Sequence, residues 1–163
     1  MDIPLDHNFP VPILECLDEF IVDVSLVPLR RIDERLADLG DRQLIVALHQ
    51  LGYPGFVTSN YKMLQNPREL AGVIGTGIVV FAIEAVGHDP LRATDALLLD
   101  LPSAIKAMES GARGVFTFRR RRPQPKDPQK MFNEMAARRS VNPKELLKEV
   151  AVGRDELMTP VLR

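Results

Sequence analysis

The chain predicts an α/β fold with three layers, α/β/α, around a mainly parallel sheet of about five strands, and a small helical appendage at its C-terminus. Three observations carry this reading. Segments of strand composition alternate with segments of helical period along most of the 163 residues. The run Gly77-Ile78-Val79-Val80-Phe81-Ala82-Ile83 is continuously apolar and of strand length, as a central strand covered on both faces requires. The stretch from Gly40 to Asn60 reads as a helix, a tight turn and a strand ending in polar side chains, half of a parallel α/β unit.

Ile3-Pro4-Leu5-Asp6 is a first short strand that ends in a carboxylate, and Pro10 or Pro12 suits the first turn of a helix bearing Ile13, Leu14, Leu17 and Phe20. Residues 21–26 alternate apolar with polar and predict a second strand. Pro28 leads a helix through Leu29, Ile32, Leu36 and Leu39, closed by Gly40. Asp41 stands at an N-cap position, and Leu44, Ile45, Leu48 and Leu51 paint one apolar stripe behind it. Gly52-Tyr53-Pro54-Gly55 stops that helix; Phe56 and Val57 form a buried strand from whose end Thr58, Ser59 and Asn60 hang. Asn66, with Glu69 three residues on, has the form of a capping box. After the central strand, residues 87–90 start the longest helix, which Pro102 kinks or divides and Gly111 ends. Val115-Phe116-Thr117-Phe118 is the last strand.

This gives an α/β domain over residues 1–118, a basic proline-broken linker over 119–126 and a helical appendage over 127–163. Two appendage helices are expected, one opening at Asp127-Pro128, the other capped by Asn142 with Pro143 at its first position and a Val141–Leu146 staple. Neither is long enough to be stable alone, so both need something to pack against.

Composition is that of a globular domain, with 45% apolar and 26% charged residues. No apolar run has spanning length and the N-terminus lacks a signal-peptide pattern, so a cytoplasmic protein with no membrane association is expected. Cys16 is the single cysteine and sits on an apolar helical stripe, where a buried thiol is the plain expectation. The net charge of −1 conceals a division. Residues 1–118 carry 9 Lys and Arg against 16 Asp and Glu, a net of −7, while residues 119–163 carry 12 against 6, a net of +6. Such a split marks nucleic-acid contact or docking between the two parts.

In open parallel sheets, sites form at the carboxyl ends of the strands. Asp6, Asp41, Asn60 and Asp89 (or Asp95) stand at strand ends and helix starts, where clustered carboxylates repel one another without a cation. The plainer reading of Asp41, Asn66 and Asp89 is helix capping. Other motifs are weaker. Residues 72–77 contain glycines in the wrong order for a phosphate loop, and His7, His49 and His88 lack metal-ligand spacing. No serine has an identifiable His and Asp partner. Arg119, Arg120, Arg121 and Arg122 can track a phosphate backbone or simply solvate a strand end.

Leu5-Asp6-His7-Asn8-Phe9-Pro10 resembles the opening of PIN-like domains, and Gly40-Asp41-Arg42-Gln43-Leu44-Ile45 resembles their second acid heading a helix. Residues 56–63 are similar to their strand–Thr–x–Asp segment, and His88-Asp89-Pro90-Leu91-Arg92-Ala93 to a helix start of the same group. The resemblance spans residues 3 to about 120 in order. It implies metal-dependent ribonuclease chemistry, and for many relatives the toxin half of a toxin–antitoxin pair. Carried over, Asp6 and Asp41 become ligands of Mg²⁺ or Mn²⁺, Asp89 a further acid, and Thr58 a supporting hydrogen-bond donor. The chain departs from the pattern at Asn60, where the family has a third Asp; an amide oxygen still ligates Mg²⁺, with one negative charge fewer.

Two functions follow. One is a ribonuclease using Asp6, Asp41, Asn60 and Asp89. The other is a degenerate PIN-like domain that binds RNA or protein without turnover. Expected partners are RNA, a small antitoxin-like protein, or a second copy of the chain.

Overall fold

The structure, a computed structural model, describes residues 1–6, 9, 24–84, 90–118 and 125–162, with the side chains of residues 90–92 left aside. The helix expected over Pro10 to Phe20, with Cys16 on it, lies outside the described residues, as do His7, His88, Asp89 and Arg119 to Arg122.

Among the described residues, six strands form one mixed, mostly parallel sheet in the order β2-β1-β3-β4-β5-β6. They are β1 (Asp2–Leu5), β2 (Ser25–Pro28), β3 (Gly55–Thr58), β4 (Val79–Ile83), β5 (Val115–Phe118) and β6 (Pro125–Lys126). The first five run parallel, and β6 returns antiparallel along the edge of β5. β6 falls in the stretch expected to be linker. Pro125 lacks an N–H and is tolerated there because an edge strand leaves one side unpaired. Gly114 lets the edge close: its φ is +114°, and a Cβ would stand 2.5 Å from the Lys126 carbonyl oxygen.

Strand alternation sorts two cores. Ile3, Leu5, Val57, Val79, Phe81, Ile83, Phe116 and Phe118 face α4 (Pro90–Glu109), which covers them with Leu97, Leu101, Ala104 and Ile105. Pro102 neither divides nor ends this 20-residue helix; the buried positions on both sides of it keep the helix seated. Phe56, Val80, Ala82 and Val115 face the opposite way, against α2 (Asp41–Gln50) and α3 (Pro67–Thr76). The helix expected from Pro28 to Leu39 is two pieces, α1 (Leu29–Ile32) and a 3₁₀ turn (Glu34–Asp38). Asp33 separates them because its extended backbone lets its carboxylate accept from the Arg35 amide at 2.9 Å.

The C-terminal residues add α5 (Pro128–Arg138), α6 (Pro143–Val150) and a third short helix, α7 (Arg154–Met158). The expected caps are in place: Asp127 accepts from the Gln129 amide at 2.8 Å and Asn142 from the Lys144 amide at 2.9 Å. Val141 stays 42% exposed, so it buries little of a staple. These helices are docked on α2 and α3. Phe132 and Ala136 are fully buried in the second core, and Val152 packs on Gly75, where a Cβ would meet it at 2.9 Å. Among the described residues no helix is long and apolar enough to cross a membrane.

Candidate functional site

The strand order reverses direction at β1, since the chain moves outward from β1 to β2 on one side and then through β3 to β5 on the other. At such a point the loops leaving the carboxyl ends diverge and open a crevice. Asp6 follows β1 there, and Thr58 ends β3 beside it. The two strands are joined at this end by the Leu5–Val57 pairing and by the Asp6 amide donating to the Val57 carbonyl at 3.0 Å. Leu5 and Val57 face α4, so alternation turns Asp6 and Thr58 toward α2 and α3. Both helices begin at this edge because each runs back antiparallel to the strands it connects.

A line of hydrogen bonds crosses the crevice. Thr58 Oγ1 donates to Asp6 Oδ2 at 2.8 Å and accepts from the Asn60 amide at 3.0 Å. The side-chain Nδ2 of Asn60 donates to Asp41 Oδ2 at 3.1 Å. An ionised carboxylate only accepts, so the amide nitrogen must be the group facing it. Asp6 and Thr58 are buried, while Asn60 and Asp41 are partly exposed. Asp6, Thr58, Asn60 and Asp41 are thus joined by one relay of hydrogen bonds, with Thr58 as the link between Asp6 and Asn60.

Asp41 does not serve as the N-cap. Gly40 holds that position, and Asp41 is the first residue of the helix. The shift frees its carboxylate for Asn60 while leaving it in the first turn, where the helix dipole favours negative charge.

Two acids at this edge were not singled out from the sequence. Glu69, on the first turn of α3, has the proton-bound form favoured by burial of its carboxyl and next by the charge of Asp41. Its Oε2 is buried with no hydrogen-bond partner among the described residues. The sequence signal was there, read as half of a capping box with Asn66; Asn66 does cap, accepting from the Arg68 amide at 3.1 Å. Glu84 follows β4, two residues beyond the Ala82–Thr58 pair and on the same face as Ala82. It repeats the pattern of a strand ending in an acid.

Arg42 adjoins Asp41 but is turned away from it. Its guanidinium grips both carboxylate oxygens of Glu156 at 2.7 Å and donates to the carbonyls of Arg68, Val150 and Ala151. The α2 start therefore carries a cation committed to the C-terminal helices.

The groups able to ligate a cation, among the described residues of the relay, are oxygens of carboxylate, amide and hydroxyl, a set suited to Mg²⁺ or Mn²⁺. Among the described residues no three His, Cys, Asp or Glu side chains come together as a ready cage. Mg²⁺ does not need one, since it keeps several waters and is held by one or two carboxylates. Asp89 and Arg119 to Arg122 lie outside the described residues. The chain matches no family model, and no curated protein or solved structure is detectably similar to it.

Proposed function

We propose that this edge is the site of a Mg²⁺- or Mn²⁺-dependent ribonuclease of PIN-like type. The observation that supports the reading best is the hydrogen-bonded line Asp6–Thr58–Asn60–Asp41 at the point where strand order reverses. Asp6, Asp41 and the Asn60 amide oxygen would hold the ion. When bound, it supplies positive charge for the phosphodiester and acidifies a coordinated water. Thr58 fixes the orientation of Asp6, and Asn60 fixes that of Asp41, so neither carboxylate has to be ordered when substrate arrives. Glu69 is the acid near Asp41 whose proton-bound form is favoured by burial and next by the Asp41 charge.

The test pairs a thermal melt with an RNA cleavage assay. Mn²⁺ should raise the melting temperature of wild type, because an ion that binds only the native state stabilises it. Asp6→Asn should lose both that rise and the metal-dependent cleavage. No melting shift with Mn²⁺ and no cleavage would end the proposal.

A second reading, an RNA- or protein-binding module without turnover, draws on one specific observation. The Asn60 amide already satisfies Asp41, doing the part that a cation would do between two carboxylates. Under this reading Mn²⁺ binds weakly, wild type does not cleave, and Asn60→Asp gains metal affinity. A small antitoxin-like protein belongs to the first reading, as an inhibitor covering the Asp6–Asp41 edge.

A further inference from the structure

Beside the candidate site lies a groove of about 800 Å³. One wall is the 3₁₀ turn Tyr61–Gln65, which starts directly after Asn60. The other is α5 together with β6. The Arg139 guanidinium holds the walls together by donating to the Gln65 carbonyl at 3.2 Å.

The chemistry of the lining is specific. Lys130, Glu134 and Arg138 recur every four residues and so share one face of α5, with Phe132 and Ala136 buried on the other. Lys126 extends the row from β6. Lys126, Lys130, Arg138 and Arg139 are exposed and stand against two carboxylates, Asp127 and Glu134, the first of which is occupied with its helix cap. Among the described residues, Lys126, Lys130 and Arg138 take part in no ion pair. Between the cations the surface is not polar throughout: Tyr61, Leu64, Met131 and Met135 give it an aromatic and thioether floor.

We propose that this groove carries a single strand of RNA, with its phosphates along Lys126, Lys130 and Arg138 and its bases against Tyr61 and the methionines, and leads it to the Asp41–Asn60 edge. Cations in a row beside an aromatic platform are what a single strand requires, since every base has a stacking face and every nucleotide a charge. A duplex presents its bases only within its grooves and gains nothing from the floor. The groove volume is that of a pocket for one drug-sized molecule, room for a short length of strand. Its charge answers the split along the chain: the basic C-terminal residues supply the track and the acidic body supplies the carboxylate edge. The inference takes its destination from the function proposed above, but the binding it describes needs no metal.

The experiment is fluorescence anisotropy with a short labelled oligouridylate in EDTA, on wild type and on the double variant Lys130→Glu, Arg138→Glu. Both positions are exposed, so folding is not at stake, and neither belongs to the candidate site. Wild type should bind with an affinity that falls as salt rises. The double variant should bind about tenfold more weakly or worse, and its slope of log affinity against log salt should be shallower by about 1.4, or ~0.7 per lost phosphate contact. Tyr61→Phe should keep the affinity that Tyr61→Leu loses. Equal binding by the double variant, tighter binding of an RNA duplex, or tighter binding of polyglutamate would each overturn the inference, the last by making the groove a protein site. The metal reading fails separately, through an Mn²⁺ melt that shows no shift while the strand still binds.

Discussion

Asn60→Asp tests whether residue 60 stands within the electrostatic reach of a site. The amide nitrogen is 3.1 Å from Asp41 Oδ2, so the substitution sets two carboxylates in contact. With charge centres ~4 Å apart, the repulsion is about 4 kcal/mol at the effective dielectric of a protein surface and about 1 kcal/mol in water. Both residues are partly exposed, which places the cost between these limits. The lost hydrogen bond to a charged group adds about 1.5 kcal/mol or more. A total of about 3 kcal/mol lowers the melting temperature of a chain of this size by roughly 6–12 °C. Asn60→Ala loses the hydrogen bond without adding charge, so it should fall by about half as much.

The sign with pH separates charge from packing. Like charges raise the pKa of the folded pair above its unfolded value, so the folded variant binds more protons. Its stability therefore falls as pH rises through that range, and the deficit is complete at neutral pH. Near about pH 4 the Asp and Ala variants should converge, since the pair then holds a proton. Mn²⁺ at about a hundredfold over its Kd should return ~2.7 kcal/mol to the Asp variant. The assay is a set of melts on the three proteins at neutral and acid pH, with EDTA or Mn²⁺. If the Asp variant melts at the temperature of the Ala variant at neutral pH in EDTA, residue 60 does not face Asp41 and the site as drawn is wrong.

Glu69→Gln should raise the melting temperature in EDTA at neutral pH. Burial and Asp41 lift the folded pKa of Glu69 above its usual 4.5, so wild type loses stability as pH rises through that interval and the variant, with nothing to ionise, does not; a variant that tracks wild type across the acid range would refute this. Gly75→Val should release the residues around Val152 from α3, because even a Cβ would stand 2.9 Å from the Val152 Cβ. The readout is faster amide exchange over residues 150–162 with β3 and β4 still protected, and unchanged exchange there would count against the docking. Gly114→Ala should cost about 3 kcal/mol or more in chemical denaturation, combining a positive φ with a clash against the Lys126 carbonyl.

Most of the sheet was legible because strand periodicity is a local signal, but β2, expected over residues 21–26 with Pro28 opening the next helix, runs over Ser25–Pro28. The apolar run through Ile83 and the short stretches ending at Asp6 and Thr58 mark their strands without help from the rest of the chain. The caps at Asn66, Asp127 and Asn142 were legible for the same reason. What local signals do not resolve is the use of a carboxylate at a helix start. Capping and tertiary use both call for an acid in the first turn, so Asp41 read as a cap when Gly40 holds that position, and Glu69 read as half of a box when its carboxyl is buried near Asp41. β6 was missed because a two-residue edge strand owes its pairing to β5 rather than to its own sequence. The break at Asp33 depends on Arg35, a pairing of side chain to backbone that leaves the apolar spacing intact.

The placement of Arg42 links the docked C-terminal helices to the charge of the site. An arginine one residue after Asp41 is the natural counter-ion for the acidic edge, and it is held elsewhere by Glu156 and three carbonyls. Arg42 holds the Glu156 carboxyl below its usual 4.5, so this grip is complete above that value and is lost as pH falls through the lowered one. Because Glu156 is more than a third exposed, the pair itself contributes little to global stability. Its effect should appear at the site instead. Glu156→Gln should loosen Arg42, leaving it on the backbone carbonyls and freer to turn toward Asp41, where a positive charge competes with a divalent ion. The expected outcome is a weaker Mn²⁺ response in calorimetry, about threefold or more in Kd, with little change in the melting temperature in EDTA. Adding Arg42→Gln to that variant should restore the response, since the competing charge is then gone. An Mn²⁺ affinity that is indifferent to Glu156 and Arg42 alike would sever the C-terminal helices from the site and leave them a purely structural cover for α2 and α3.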